Sequence, residues 1–144
     1  MRTVRVVVAD QSQARFFDSA GDRPNLKSAG TLVDPEARKY ERDLVSDAPG
    51  SSITAGHAHY SMPEKKSRKS REVGIFARQI AEKLATDAGA GQFDELAIIA
   101  APHFLGILRK ALSADLHKRV KLEVHHDLVH GDEAAIRAHL PDHW

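Results

Sequence analysis

The sequence predicts an α/β domain built on a mixed five-stranded sheet, three antiparallel strands followed by two parallel ones, covered by helices. Three observations predict it. Three strand-like apolar runs stand near the start, separated only by short polar breaks. Two further apolar runs come later, each preceded by a segment with helical period. All of this fits within 144 residues, a length that suits one domain with a substantial core.

Residues 4–10, VRVVVAD, are β-branched and almost continuously apolar, as in a central strand covered on both faces. Residues 14–21, ARFFDSAG, follow after the polar break QSQ, so the two runs form a hairpin. DRPN makes the next turn, and residues 26–34, LKSAGTLVD, give a third, weaker strand. Gly30 lowers its propensity and suits the sheet edge. From residue 35 to 71 the apolar period lapses. SDAPGSSITAG is turn chemistry throughout, so a long polar and basic loop is expected over about 35–71.

Order returns after it. Val73, Phe76, Ala77, Ile80 and Leu84 fall on one helical face. Ser70 is the expected N-cap, Glu72 suits the positive helix end, and Gly89 and Gly91 stop the helix. ELAIIAA, residues 95–101, is a second fully buried strand. Pro102 opens a helix with Phe104, Leu105, Leu108 and Leu112 on its inner side. RVKLEVHHD points Val120, Leu122 and Val124 inward, and Asp132 caps a last helix with Ile136 and Leu140 inside. Helical crossovers make the last two strands parallel to the first, which becomes central. This is the ribonuclease H-like order of elements.

Composition narrows the function classes. The chain is 42% hydrophobic and 28% charged, with a net charge of +1, so a nucleic-acid role needs a local patch rather than a basic whole. There is no cysteine, which excludes disulfides, thiolate metal sites and a cysteine nucleophile. The apolar run at the start meets Asp10 at once and is too short for a signal peptide. No stretch approaches the ~20 apolar residues of a membrane span. A cytoplasmic protein without a membrane or a cofactor is expected.

Four segments, VVVADQSQARFFDSAG, RKYERDLVSDAPG, IFARQIAEKL and AAPHFLGILRKALSADLHKRV…HHDL, resemble the bacterial host attachment protein family. The resemblance runs over nearly all of the chain. Members are similar to the middle domain of archaeal and eukaryotic translation release factors and their Pelota-like relatives, which implies the ribonuclease H-like order of elements. In release factors the long loop before the first large helix carries a Gly-Gly-Gln motif. Residues 50–71 hold that place here, and Gly56 is followed by His57, Ala58 and His59 instead. The resemblance therefore implies the position of the segment and not peptidyl-tRNA hydrolysis. The family name implies a role in attachment to host cells.

Two sites are candidates. The first is the polar segment, with Gly56, His57, His59 and Tyr60 beside the basic run Lys65, Lys66, Arg68, Lys69 and Arg71. Its cations could clamp phosphates, and the rings could stack or hydrogen-bond, as in contacts to structured RNA or the ribosome. The commonplace alternative is a solvated charge run. The second is the carboxyl edge of the parallel strands, where Asp10, His103 and Asp127 should gather. A ribonuclease H-like nuclease would hold two metal ions with carboxylates there, with Glu72 as the candidate second carboxylate beside Asp10. The end of the fourth strand is Ala100, Ala101 and Pro102, so a third carboxylate is missing. Asp10 as a turn residue bonded to nearby amides is the favoured reading. His57 with His59, His125 with His126, and His130 give no motif with metal-ligand spacing, so no metal is expected. The expected function is a non-catalytic module contacting structured RNA or the ribosome. The alternatives are a metal-dependent nuclease and a protein-interaction module in a host-attachment pathway.

Overall fold

The structure, a computed structural model, describes residues 2–20, 25–34 and 55–142, and of residues 55–69 the backbone alone. Strands β1 (Thr3–Ala9), β2 (Gln13–Ala20) and β3 (Lys27–Val33) precede helix α1 (Ala55–Gly89). Then come β4 (Glu95–Ala100), α2 (Pro102–Ala111), α3 (Ala114–Arg119), β5 (Val120–Val124) and α4 (Glu133–Arg137). The strands form one sheet in the order β3-β2-β1-β4-β5. β1 pairs antiparallel with β2 and parallel with β4, so it is central, as its apolar run predicts. The order is compatible with the ribonuclease H-like expectation.

Strand periodicity sorts β1 into two cores. Val7 and Ala9 face α1 and α2, packing with Phe16, Phe76, Ile80, Leu84, Ile98 and Leu105. Val4, Val6 and Val8 face the other way, against Phe17, Ile99, Val129, Ile136 and Leu140. Both faces of the strand are therefore dry, and every residue from Val4 to Ala9 is buried.

One of those residues is Arg5, fully buried at 0% exposure. It shares the helix-side face with Val7 and Ala9. Its guanidinium donates to Asp18, directly opposite on β2, and to Asp87 Oδ2 near the end of α1 at 2.7 Å. It also lies over the Phe93 ring, 5.0 Å from the centroid. Lys83 adds a second cation to Asp87 at 3.3 Å. Burial works against the charge of Arg5, but the bonds from Asp18 and Asp87 outweigh it and raise its pKa above the ordinary arginine value. Burial likewise works to raise the Asp87 carboxyl, but the bonds from Arg5 and Lys83 hold it below the usual carboxylate range.

Both edge strands are interrupted. The β2–β3 register slips at Phe16/Phe17, leaving Ala29 extra beside Gly30, which adopts a φ of 118°. The β4–β5 register slips at Leu96/Ala97, leaving Lys121 extra on β5. Bulges and a lysine on an edge discourage pairing with another chain.

One expectation is corrected. Helix α1 does not start at Ser70 or Glu72: it begins at Ala55, so residues 55–71 are helical rather than loop. Ser70 is a mid-helix residue and not an N-cap. The physical reason is that nucleation is the costly step of helix formation. The packed turns from Val73 to Ala88 supply the nucleus, and extension through Ala, Glu, Lys, Arg and Met then costs little per residue, Pro63 and Gly56 excepted. The rest of the expected loop, residues 35–54, lies outside the described residues. Between α2 and β5 lies a further short helix, α3, beyond the single helix expected there. Ser113 caps it, its hydroxyl accepting from the Leu116 amide at 3.2 Å, and Leu116 is buried. The stop of α1 is as expected: Gly91 takes a φ of 75° just past Gly89.

The Arg5 network makes stability depend on acid. A carboxylate whose pKa is depressed in the folded state stabilises the fold above its unfolded pKa of ~3.9, and that contribution is lost as pH falls through the folded value. Urea denaturation should therefore show stability falling below about pH 4. At neutral pH, Asp87→Ala should cost about 3 kcal/mol by leaving a buried guanidinium short of a partner.

Candidate functional site

The carboxyl edge of the parallel strands is built by chain reversals at the ends of β1, β4 and β5. β1 ends at Ala9, and Asp10 starts the turn into β2. The Asp10 amide donates to the Gln13 carbonyl at 2.9 Å, closing the turn. Its carboxylate Oδ1 accepts from the Ser12 amide at 2.7 Å and the Gln13 amide at 2.9 Å. Asp10 is thus bonded as a turn aspartate. The other oxygen, Oδ2, lies 3.9 Å from His130 Nε2, beyond hydrogen-bonding distance.

His130 belongs to the segment between β5 and α4. Gln13 Nε2 and His130 Nδ1 are 3.2 Å apart. Arg15 holds the same segment, its Nη1 donating to the Val129 carbonyl at 3.2 Å and the Gly131 carbonyl at 2.6 Å. The Arg15 guanidinium in turn lies 5.1 Å from the Phe17 ring centroid. Asp132 then caps α4, accepting from the Ala135 amide at 2.8 Å. This edge is a braced junction between β1, β2 and the chain leading to α4.

The other members expected here do not join it. His103 is exposed on the first turn of α2, and Asp127 is exposed after β5. Among the described residues, no hydrogen bond or ion pair links either of them to Asp10. No group of three or more His, Asp or Glu among the described residues is placed to hold a metal ion. Glu72, the second expected carboxylate, sits inside α1.

The basic segment takes a different form. Gly56, His57, His59, Tyr60, Lys65, Lys66, Arg68 and Lys69 all lie in α1, with their side chains outside the described residues. Arg71 is described and exposed. Among the described side chains of α1 the first in the core is Val73, and residues 55–72 precede it in the helix. At 1.5 Å per residue that is about 27 Å of helix. A contact the sequence did not suggest is the ring pair of His126 and His139, with centroids 4.7 Å apart. The two are far apart in the chain, and no motif spacing joins them.

The turn role of Asp10 is testable. Asp10→Ala removes two amide acceptors and should cost about 1–2 kcal/mol in chemical denaturation. Asp10→Asn keeps an acceptor at Oδ1 and should stay within about 0.5 kcal/mol of the parent.

Comparisons with known proteins fit this architecture. Two solved structures share it at 14% sequence identity. One, a crystal structure of an archaeal translation termination factor, aligns with a TM-score of 0.53 over 97% of this chain and 35% of its own. The other, an archaeal protein, aligns with a TM-score of 0.50 over 94% of this chain and 33% of its own. The likeness is one of fold, and this chain spans about a third of the length of each. No curated protein matches. No described helix is long and apolar enough to cross a membrane. A family model described as "Protein required for attachment to host cells" matches residues 5–140. The chain belongs to that family of host attachment proteins.

Proposed function

We propose that the chain is a binding module that contacts structured RNA or the ribosome through the basic segment of α1. The observation that carries this reading is the helical backbone of residues 65–71. Five cations, Lys65, Lys66, Arg68, Lys69 and Arg71, occur in that window. Six helical steps span only about 9 Å, against ~20 Å for the same residues extended. Helix formation therefore roughly doubles the linear charge density. Only Glu64 and Glu72 flank the run, so local neutralisation is incomplete. A phosphate backbone is the partner that such a density of cations suits. One of the solved structures of similar fold is an archaeal translation termination factor, which supports a translational setting, and a cytoplasmic one with it.

The nuclease alternative has less support. Asp10 Oδ1 is bonded within its turn, and β4 ends at Ala100, followed by Ala101 and Pro102 with no carboxylate among them. The family description favours one second reading, a protein-interaction module in a host-attachment pathway.

Replacing Lys65, Lys66, Arg68 and Lys69 together by Gln tests the proposal, because Gln keeps helix propensity while removing charge. Binding to a structured RNA or to ribosomes should weaken at low salt. The slope of log K against log salt should flatten by about 3 if all four cations touch phosphate. Unchanged affinity and slope would remove the segment from the interface.

A further inference from the structure

We propose that His126 and His139 form a two-imidazole site for a late first-row divalent cation such as Zn2+ or Ni2+. His126 follows β5, and His139 lies just past α4, so the pair joins the end of an edge strand to the last described helix. The ring centroids are 4.7 Å apart and the planes are tilted by 53°. Both residues are exposed, which leaves room for water to complete the coordination.

Two observations fit an ion held between the rings. The first is the state of His139. Its Nδ1 lies 3.0 Å from the Ala135 carbonyl oxygen. A carbonyl can only accept, so Nδ1 carries the proton and donates. In the neutral ring the lone pair is then on Nε2. A ligating histidine commonly has this arrangement: one nitrogen held by a backbone carbonyl, the other free for the ion.

The second is distance. A zinc–nitrogen bond is about 2.0–2.1 Å. Adding ~1.1 Å from ring nitrogen to ring centre puts the ion roughly 3.2 Å from each centroid. For an angle between about 90° and 110° at the ion, the two centroids must be ~4.5–5.2 Å apart. The observed separation of 4.7 Å falls inside that window. Imidazole is a preferred ligand for zinc, copper and nickel, whereas calcium and magnesium favour oxygen.

Anchoring on both sides makes the pair more than a chance meeting. His139 precedes Leu140, which is buried against the sheet, and follows Ile136, which is fully buried. His126 lies between Val124 and Val129, both packed in the same core. An ion bridging the rings would clasp α4 to the end of β5 and close that core layer. With two protein ligands the site is open and of modest affinity, and its effect is linkage: binding the folded form alone raises apparent stability.

Zinc chloride titrated into the protein, followed by the imidazole resonances and by thermal unfolding, tests the proposal. The parent should bind one zinc per chain, with shifts at the rings of His126 and His139 and a rise in Tm. His126→Asn and His139→Asn should each weaken binding by at least about tenfold. His103→Asn and His125→Asn should bind as the parent does. Absence of binding by about 1 mM zinc would overturn the site. Equal binding by the parent and both variants would also overturn it, by placing the ion elsewhere.

Discussion

Arg5 is buried in the central strand, and three parts of the chain must meet around its charge. Asp18 on β2 sits directly across the strand pair, Asp87 comes from α1, and Phe93 lies against the guanidinium face. An uncompensated charge in this position would be prohibitive, so the network is satisfied only when β1, β2 and α1 are correctly placed together. Such a network adds little net stability compared with an apolar core, but it penalises alternatives: a one-residue slip of β2 removes Asp18, and a shifted α1 removes Asp87. Lys83 extends the network outward, touching Asp87 and lying 5.1 Å from the Phe16 ring centroid. The depth and register of α1 are thereby tied to the sheet, and with them the helical backbone that continues ahead of Val73.

The strands were legible because burial on two faces leaves an unmistakable apolar run. β1 and β4 read as central strands, and β3 as a weak edge, for that reason. Strand order followed from the hairpins and the helical crossovers. Arg5 was not legible: within VRVVVAD it is one charge in an apolar run, and its partners stand 13 and 82 residues away. The start of α1 was misread because periodicity detects only the packed part of a helix. Residues 55–71 have no apolar stripe, and a helix continued from a packed nucleus needs none. The short helix α3 left a local signal, Ser113 three residues before Leu116, too slight to separate it from a turn.

Of the candidate sites, Asp10 was read correctly in its favoured role, as the carboxylate of a hairpin turn. His103 and Asp127 reach the same end of the sheet without meeting it. The His126 and His139 pair was invisible because α4 has to fold back onto the sheet before the two rings approach. Sequence spacing exposes ligands that share one element or one loop; it does not expose those that tertiary packing brings together.

Fold and family agree, and neither carries a catalytic constellation across. The proposed contact lies on a charged helix anchored by a buried ion network, away from the carboxyl edge. The most direct measurement is residue-by-residue amide mapping by NMR while an A-form RNA duplex is titrated at low salt. The account predicts saturable shifts concentrated in residues 56–71, fading along α1 toward Val73 and absent around Asp10, His103 and Asp127. Shifts centred on that edge, or no saturable shifts at any residue, would contradict it.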